Sequence, residues 1–292
     1  MRSSPRIVLF LNGNRGLELY KELVEQGINI VGIVSTYQTL ISGAVVPVVT
    51  LKGKNWTKII KFITSKKPDL GIVAGFSHIL PNDILEIPRY GFWNLHAGRV
   101  PKYRGGSPLN WQMINGEVRA GLSILKMTPG IDDGPILSSI SFKIAHTDTI
   151  SDLHIRANQL FPLLLLPLLS NPAKSLRNSK VQSRIGGKYW HQRNERDGQI
   201  DWNNSSSQQV YNFVRAISKP YPGAFGVIAG RREVRIWQVK IDENHVNGVP
   251  GRLVKLKDGF HVPCGGGGSV LLLEFESRHP IKNGERFKTL SN

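Results

Sequence analysis

Three side chains in this sequence have the types and spacing to catalyse acyl transfer without a covalent intermediate: Asn94, His96 and Asp132. Asn94 and His96 are two apart in Asn94-Leu-His96, so on a strand they share one face. Asp132 sits in Gly130-Ile-Asp132-Asp-Gly134, where glycines suit a loop that approaches a ligand closely. Attack of an amine on a formyl or similar acyl carbon needs a group to take the amine proton. It also needs a donor aimed at the developing oxyanion and a group that fixes the tautomer of the base. His96, Asn94 and Asp132 fit those roles in that order. Taken singly, each has a plainer reading: a hydrogen-bonded structural histidine, a turn-forming Asn at a strand end, and an Asp-Gly turn. The combination carries the chemistry.

The surrounding motifs widen the pattern. They include Pro101-Lys-Tyr-Arg-Gly105, Ser107-Pro-Leu-Asn-Trp-Gln-Met-Ile-Asn-Gly-Glu117 and Asp132-Asp-Gly134. With Asn94-Leu-His96, they resemble the formyltransferases that use 10-formyltetrahydrofolate. The likeness runs strongly from about residue 5 to about residue 145, then resumes at Asp201-Trp202 and at 215–225. It implies a Rossmann-like formyl-transfer domain whose Asn, His and Asp fall on Asn94, His96 and Asp132, with Asp132 orienting His96. A second implication is a C-terminal domain of the kind shared by tRNA and sugar formyltransferases. The donor, 10-formyltetrahydrofolate, is then held between Phe76, His78, Ile79, Leu80 and Pro81 on one side and Met127, Thr128, Gly130 and Ile131 on the other. His78 is a neighbour of the chemistry there and not its catalyst.

Two acceptors fit such a family: the amino group of a nucleotide-linked sugar and methionyl-tRNA. The loop 34–44 is short and has no Lys or Arg, whereas tRNA formyltransferases carry a long basic insertion there. The segment Lys102 to Trp111, with Ile114-Asn-Gly-Glu117, is similar to bacterial enzymes that formylate a UDP-linked 4-amino sugar. The expected acceptor is therefore a nucleotide-linked amino sugar, with tRNA as the alternative, and the likeness implies a place in lipopolysaccharide biosynthesis. The diphosphate of such an acceptor would meet Arg15, Lys102 and Arg104 through charge-assisted hydrogen bonds, with Asn12, Tyr103 and Gly105 alongside. A solvated basic loop is the plainer reading of these cations. A silent relative that only binds folate or nucleotide is a third reading, opposed by the intact Asn, His and Asp set.

The chain has 292 residues, 40% of them apolar, enough for two domains with real cores. The single cysteine, Cys264, excludes an intrachain disulfide framework, and no Cys and His cluster has metal-ligand spacing, so neither a structural nor a catalytic metal is expected. The apolar run 7–11 is too short for a signal-peptide core, and the run 160–169 is half a membrane span interrupted by Pro162 and Pro167. A cytoplasmic protein without membrane insertion is expected, a homodimer being among the assemblies left open. The formal charge of +17 calls for an anionic partner or surface without choosing which.

The elements that must position these residues read as an alternating β and α series. Strands are expected at 6–11, 28–34, 69–74, 91–95, 121–127 and 136–144, and helices at 17–25, 55–66, 82–87, 108–114 and 149–169. Such alternation builds a parallel sheet covered by helices, with ligands at the carboxyl ends of its strands. The first loop, Asn12 to Gly16, lacks the full dinucleotide fingerprint, so an NAD site is not expected. Residues 1–170 then form the catalytic domain, 171–204 a polar surface linker, and 205–292 a β-rich, OB-like barrel domain of five short strands after one helix.

Overall fold

A computed structural model of the protein describes residues 4–37, 43–183, 185–243 and 246–288. The loop 34–44 thus falls in part, at 38–42, outside the described residues. Contacts divide the chain into two compact units. One comprises residues 1–108, 121–142 and 154–190, the other 109–120, 143–153 and 191–292.

The first unit is built on a seven-stranded sheet. Its strands are β1 (Ile7–Leu11), β2 (Ile30–Ser35), β3 (Val48–Thr50), β4 (Leu70–Ala74), β5 (Phe92–His96), β7 (Arg119–Lys126) and β8 (Ile136–Lys143), while β6 (Arg104–Gly105) lies outside it. The order is β3-β2-β1-β4-β5-β7-β8. β1 to β5 run parallel, and β7 joins β5 antiparallel. β1 and β4 are buried at every residue because helices cover both faces, which is why they read as unbroken apolar runs. This is the Rossmann-like architecture expected. Chain order reverses between β1 and β4, and the carboxyl ends of β1, β4 and β5 are the expected place for a ligand.

The helices are α1 (Gly13–Glu25), α2 (Trp56–Lys66), α3 (Asn82–Leu85), α4 (Pro108–Ile114), α5 (Ile150–Leu169), α6 (Pro172–Arg177) and α7 (Ser207–Ala216). α1 begins four residues earlier than the periodicity predicts. Gly16 is helical and not part of a loop. A Cβ there would stand 2.8 Å from Leu11 Cβ, so the glycine serves close packing of α1 on β1. α5 continues through Pro162 and Pro167. Phe161, Leu165 and Leu169 are buried, and this burial holds the helix despite the two lost N–H groups. No helix among the described residues is long and apolar enough to cross a membrane.

The stretch 171–204, expected as a linker, carries regular structure. α6 is capped by the Asn171 side chain, and β9 (Tyr189–Trp190) pairs in parallel with β6. Up to Trp190 this stretch belongs to the first unit. Composition misleads here because, besides its local caps, the stretch makes long-range hydrogen bonds: Gln182 reaches the carbonyls of Asp132 and Gly134, and Trp190 reaches that of Lys102.

In the second unit, β10 (Ala224–Ile228), β11 (Arg232–Ile241), β12 (Val254–Lys255), β13 (Phe260–Pro263) and β14 (Ser269–Ser277) form an antiparallel sheet in the order β10-β11-β14-β13-β12. α7 starts on a capping box made by Ser206 and Gln209. Trp202 stacks on Phe287 with ring centroids 5.1 Å apart. Cys264 is buried, and burial pushes its thiol pKa up to about 12. His261 is fully buried between Asp242 and Asp258, each 2.8 Å from one ring nitrogen.

Candidate active site

β5, an interior strand, delivers Asn94 and His96 at its carboxyl end, and the antiparallel partner β7 places Leu125 and Ser123 opposite them. Beyond β7, the turn that carries Asp132 folds back. Asp132 has φ 51°, the left-handed region that a residue with a Cβ enters at some cost. That backbone brings its carboxylate to the end of β5. Oδ1 accepts from Asn94 Nδ2 at 3.0 Å, Oδ2 accepts from the Gly105 backbone N–H at 3.0 Å, and Oδ2 stands 3.4 Å from His96 Nδ1. The three residues picked from the sequence therefore meet, with His96 and Asp132 only 5% and 13% exposed at the side chain.

The structure adds a partner that the sequence did not suggest. His96 Nε2 lies 2.6 Å from the carbonyl oxygen of Tyr103. A carbonyl only accepts, so this contact places the N–H on Nε2 and leaves Nδ1 as the basic nitrogen of the neutral ring. Nδ1 is the nitrogen beside Asp132. The group that fixes the tautomer is thus the Tyr103 main chain, and Asp132 stands where it favours a proton arriving on Nδ1. Gly98 guards this contact. A Cβ at residue 98 would fall 2.4 Å from both His96 Nε2 and Tyr103 O. The same Gly98 carbonyl accepts from Ser123 Oγ at 2.9 Å.

The residues expected around an acceptor diphosphate are placed differently. Asn12 is buried, and its Oδ1 accepts from Ser35 Oγ, Thr36 N–H and Thr36 Oγ1, tying the ends of β1 and β2. Arg15 turns onto α5. It donates to Asn158 Oδ1 at 3.4 Å, lies 3.3 Å from His154 Nδ1 and sits over the Phe161 ring. Burial, with Arg15 beside it, lowers the His154 pKa to about 4, so its ring is a neutral acceptor for the guanidinium. Arg104 spends Nε and Nη2 on Gln182 Oε1 at 3.0 and 2.8 Å. The Tyr103 ring is fully buried against Trp190, and Gly105 gives its N–H to Asp132. Lys102 is exposed with its ammonium over the Tyr103 ring, and its carbonyl accepts from Trp190 Nε1 at 3.0 Å. Packing thus gives Arg15 and Arg104 protein partners as well.

The two segments expected to flank the donor share one apolar cluster, since Phe76 and Met127 both pack against the core of Phe10, Leu80 and Phe92. Phe76 meets His78 at a ring distance of 5.5 Å, and Trp56 meets His78 at 6.3 Å. His78 Nδ1 is buried with no hydrogen-bond partner among the described residues. Ile79 is 71% exposed and Pro81 precedes α3. Across from them Thr128 Oγ1 donates to Asp133 Oδ1, Gly130 packs against the Asp133 side chain and Ile131 is exposed. Trp56 had no place in the sequence argument. Its aromatic character at a helix start was the one available hint. No group of three or more His, Cys, Asp or Glu among the described residues could hold a metal ion.

A Rossmann-like mixed-sheet domain followed by an antiparallel-sheet unit is the fold of the formyltransferases. Residues 49–166 match the formyl transferase family, and residues 193–288 match its C-terminal domain. The chain is 39% identical over 196 residues to the bifunctional polymyxin resistance protein ArnA of Wigglesworthia glossinidia brevipalpis. That match covers 67% of this chain and 30% of the length of ArnA. It is 32% identical over 227 residues to the methionyl-tRNA formyltransferase of Alkaliphilus metalliredigens (strain QYMF), covering 77% of this chain and 71% of that protein. In fold it is similar to the crystal structure of WlaRD, a sugar 3N-formyl transferase solved with dTDP and 5-N-formyl-THF. The TM-score is 0.68 at 15% identity, covering 95% of this chain and 99% of that one. The protein belongs to the formyltransferase family, whose formyl donor is 10-formyltetrahydrofolate.

Proposed function

We propose that the protein transfers a formyl group from 10-formyltetrahydrofolate to the amino group of a nucleotide-linked amino sugar, with Asn94, His96 and Asp132 as the catalytic set. The observation that carries the reading is the convergence of Asn94 Nδ2, His96 Nδ1 and the Asp132 carboxylate at the end of β5. The donor supplies an N-formyl carbon activated for attack. His96 Nδ1 takes the proton of the attacking amine as the new C–N bond forms, and returns a proton to the departing tetrahydrofolate nitrogen when the old C–N bond breaks. Asn94 gives one amide hydrogen to Asp132, which aims its second toward the developing oxyanion. Asp132 stabilises the imidazolium formed in between. Phe76, Trp56 and the orphaned His78 Nδ1 suit a flat, hydrogen-bonding heterocycle such as the pterin of the donor.

For the acceptor, the loop 34–44 without Lys or Arg and the Lys102 to Trp111 segment favour a nucleotide sugar. The likeness to a polymyxin resistance protein supports a role in lipopolysaccharide modification. The second reading, methionyl-tRNA, is favoured by the +17 charge and by the 32% identical relative that bears that name. Incubation of the protein and 10-formyltetrahydrofolate with a panel of amine-bearing nucleotide sugars and methionyl-tRNA, read by mass gain of one formyl group, tests both. Formylation of methionyl-tRNA and of no nucleotide sugar would overturn the acceptor reading. Loss of no activity in His96→Ala would overturn the site.

A further inference from the structure

We infer that Gln182 is a positioning residue for formyl transfer, holding the Asp132 turn in the conformation that lets its carboxylate serve Asn94 and His96. This rests on the catalytic reading of Asp132 above. Gln182 lies in the stretch whose composition suggests a surface linker, and its neighbour Val181 is 87% exposed. Gln182 itself is only 6% exposed. Its primary amide is used at both ends. Oε1 accepts from Arg104 Nε and Nη2 at 3.0 and 2.8 Å, while Nε2 donates to the carbonyls of Asp132 and Gly134 at 2.8 and 2.7 Å.

The chemistry of these four contacts is specific to an amide of this length. Glutamate would keep the guanidinium but offer the two carbonyls no hydrogen, and lysine would do the reverse. Asparagine is one methylene shorter. Both sides of the clamp lead to the reacting groups. Arg104 precedes Gly105, whose N–H holds Asp132 Oδ2, and the Asp132 carbonyl fixes a residue at φ 51°. A left-handed non-glycine residue persists only where its surroundings hold it, and Gln182 is the side chain that grips its carbonyl. The segment is anchored on both flanks: Lys180 exchanges backbone hydrogen bonds with Ile136, and β9 pairs with β6.

The test is Gln182→Glu, which keeps the shape and the Arg104 contact but replaces the donors to Asp132 and Gly134 with a carboxylate oxygen that repels their carbonyls. Hydrogen exchange, followed by mass spectrometry at a temperature where the variant is folded, should quicken in the peptide covering residues 127–135 and stay unchanged in β1, while the melting temperature falls by the loss of two buried hydrogen bonds. With 10-formyltetrahydrofolate and a UDP-linked 4-amino sugar, kcat should fall on the order of 10- to 100-fold, as for other small misplacements of reacting groups, while KM for the donor holds. In an Asp132→Asn background, Gln182→Glu should add no further loss, because both act through one carboxylate. Unchanged exchange, unchanged kcat, or losses that multiply with Asp132→Asn would overturn the inference. If Gln182→Glu does not fold, Gln182→Asn is measured in its place, and the same three outcomes decide. Should the wild-type protein formylate no nucleotide sugar, the acceptor reading falls alone, since the exchange experiment needs no acceptor.

Discussion

Asp132→Asn isolates the charge beside His96. The substitution keeps the side chain's size, and its one remaining oxygen can accept from Asn94 Nδ2 or from Gly105 N–H but not from both at their present positions of 3.0 Å. The carboxylate lies 3.4 Å from Nδ1, and at an effective dielectric of about 20 a full imidazolium at that separation is favoured by about 5 kcal/mol. A transition state with the proton half transferred feels about half of this, 2–3 kcal/mol, or about 30- to 150-fold in rate. The misfit of an amide hydrogen against the Asn94 or Gly105 donor adds to the loss, so a fall in kcat on the order of 10² to 10³ is expected. Single-turnover transfer from 10-formyltetrahydrofolate to the acceptor found in the screen, quenched and weighed by mass spectrometry, reads the chemical step directly. A circular-dichroism melt confirms that the variant is folded. A folded Asp132→Asn protein within roughly threefold of wild type, under 1 kcal/mol, would refute both the electrostatic argument and the role of Asp132.

Gly98→Ala should lower kcat by about 10² or more with a smaller effect on folding. The new methyl lies 2.4 Å from both His96 Nε2 and Tyr103 O and must part them, releasing the ring from its tautomer; a variant with normal turnover would show that the Tyr103 carbonyl does not orient the base. In the second unit, burial opposes charge on His261, but hydrogen bonds to Asp258 and Asp242 outweigh it and raise its pKa above 6.5. A raised folded-state pKa gives stability that is full below about pH 6.5 and fades as pH climbs through the elevated value. Thermal melts should therefore show midpoints that drop on the alkaline side, and a His261→Gln protein with the same slope would remove His261 as the cause. For the acceptor, binding of a nucleotide sugar should weaken gently with salt, because one or two cations meet a diphosphate. Capture of tRNA through six or more phosphates would fall by roughly 10³ between low and physiological salt, and a steep slope in filter binding would favour tRNA.

Local sequence determined the frame of this protein. Strand and helix periodicity repeats every few residues and depends on which face is buried, so β1, β4, β5 and α4 were legible, as was the sharing of one face by Asn94 and His96. The pairing of Asn94 and His96 with Asp132 was legible too, because their combination suits acyl transfer and the surrounding motifs resemble the formyltransferases. Tertiary structure decided the rest. Which His96 nitrogen is basic depends on a carbonyl that the 97–103 turn brings back to the ring. The sequence offered Arg15 and Arg104 as cations, and only the fold set His154, Asn158 and Gln182 beside them. Gln182 itself lies 50 residues from Asp132 in a stretch with no periodicity, and its importance exists only in the contacts it makes across space. A polar side chain takes its meaning from the donors and acceptors that surround it, and only the folded chain specifies those neighbours.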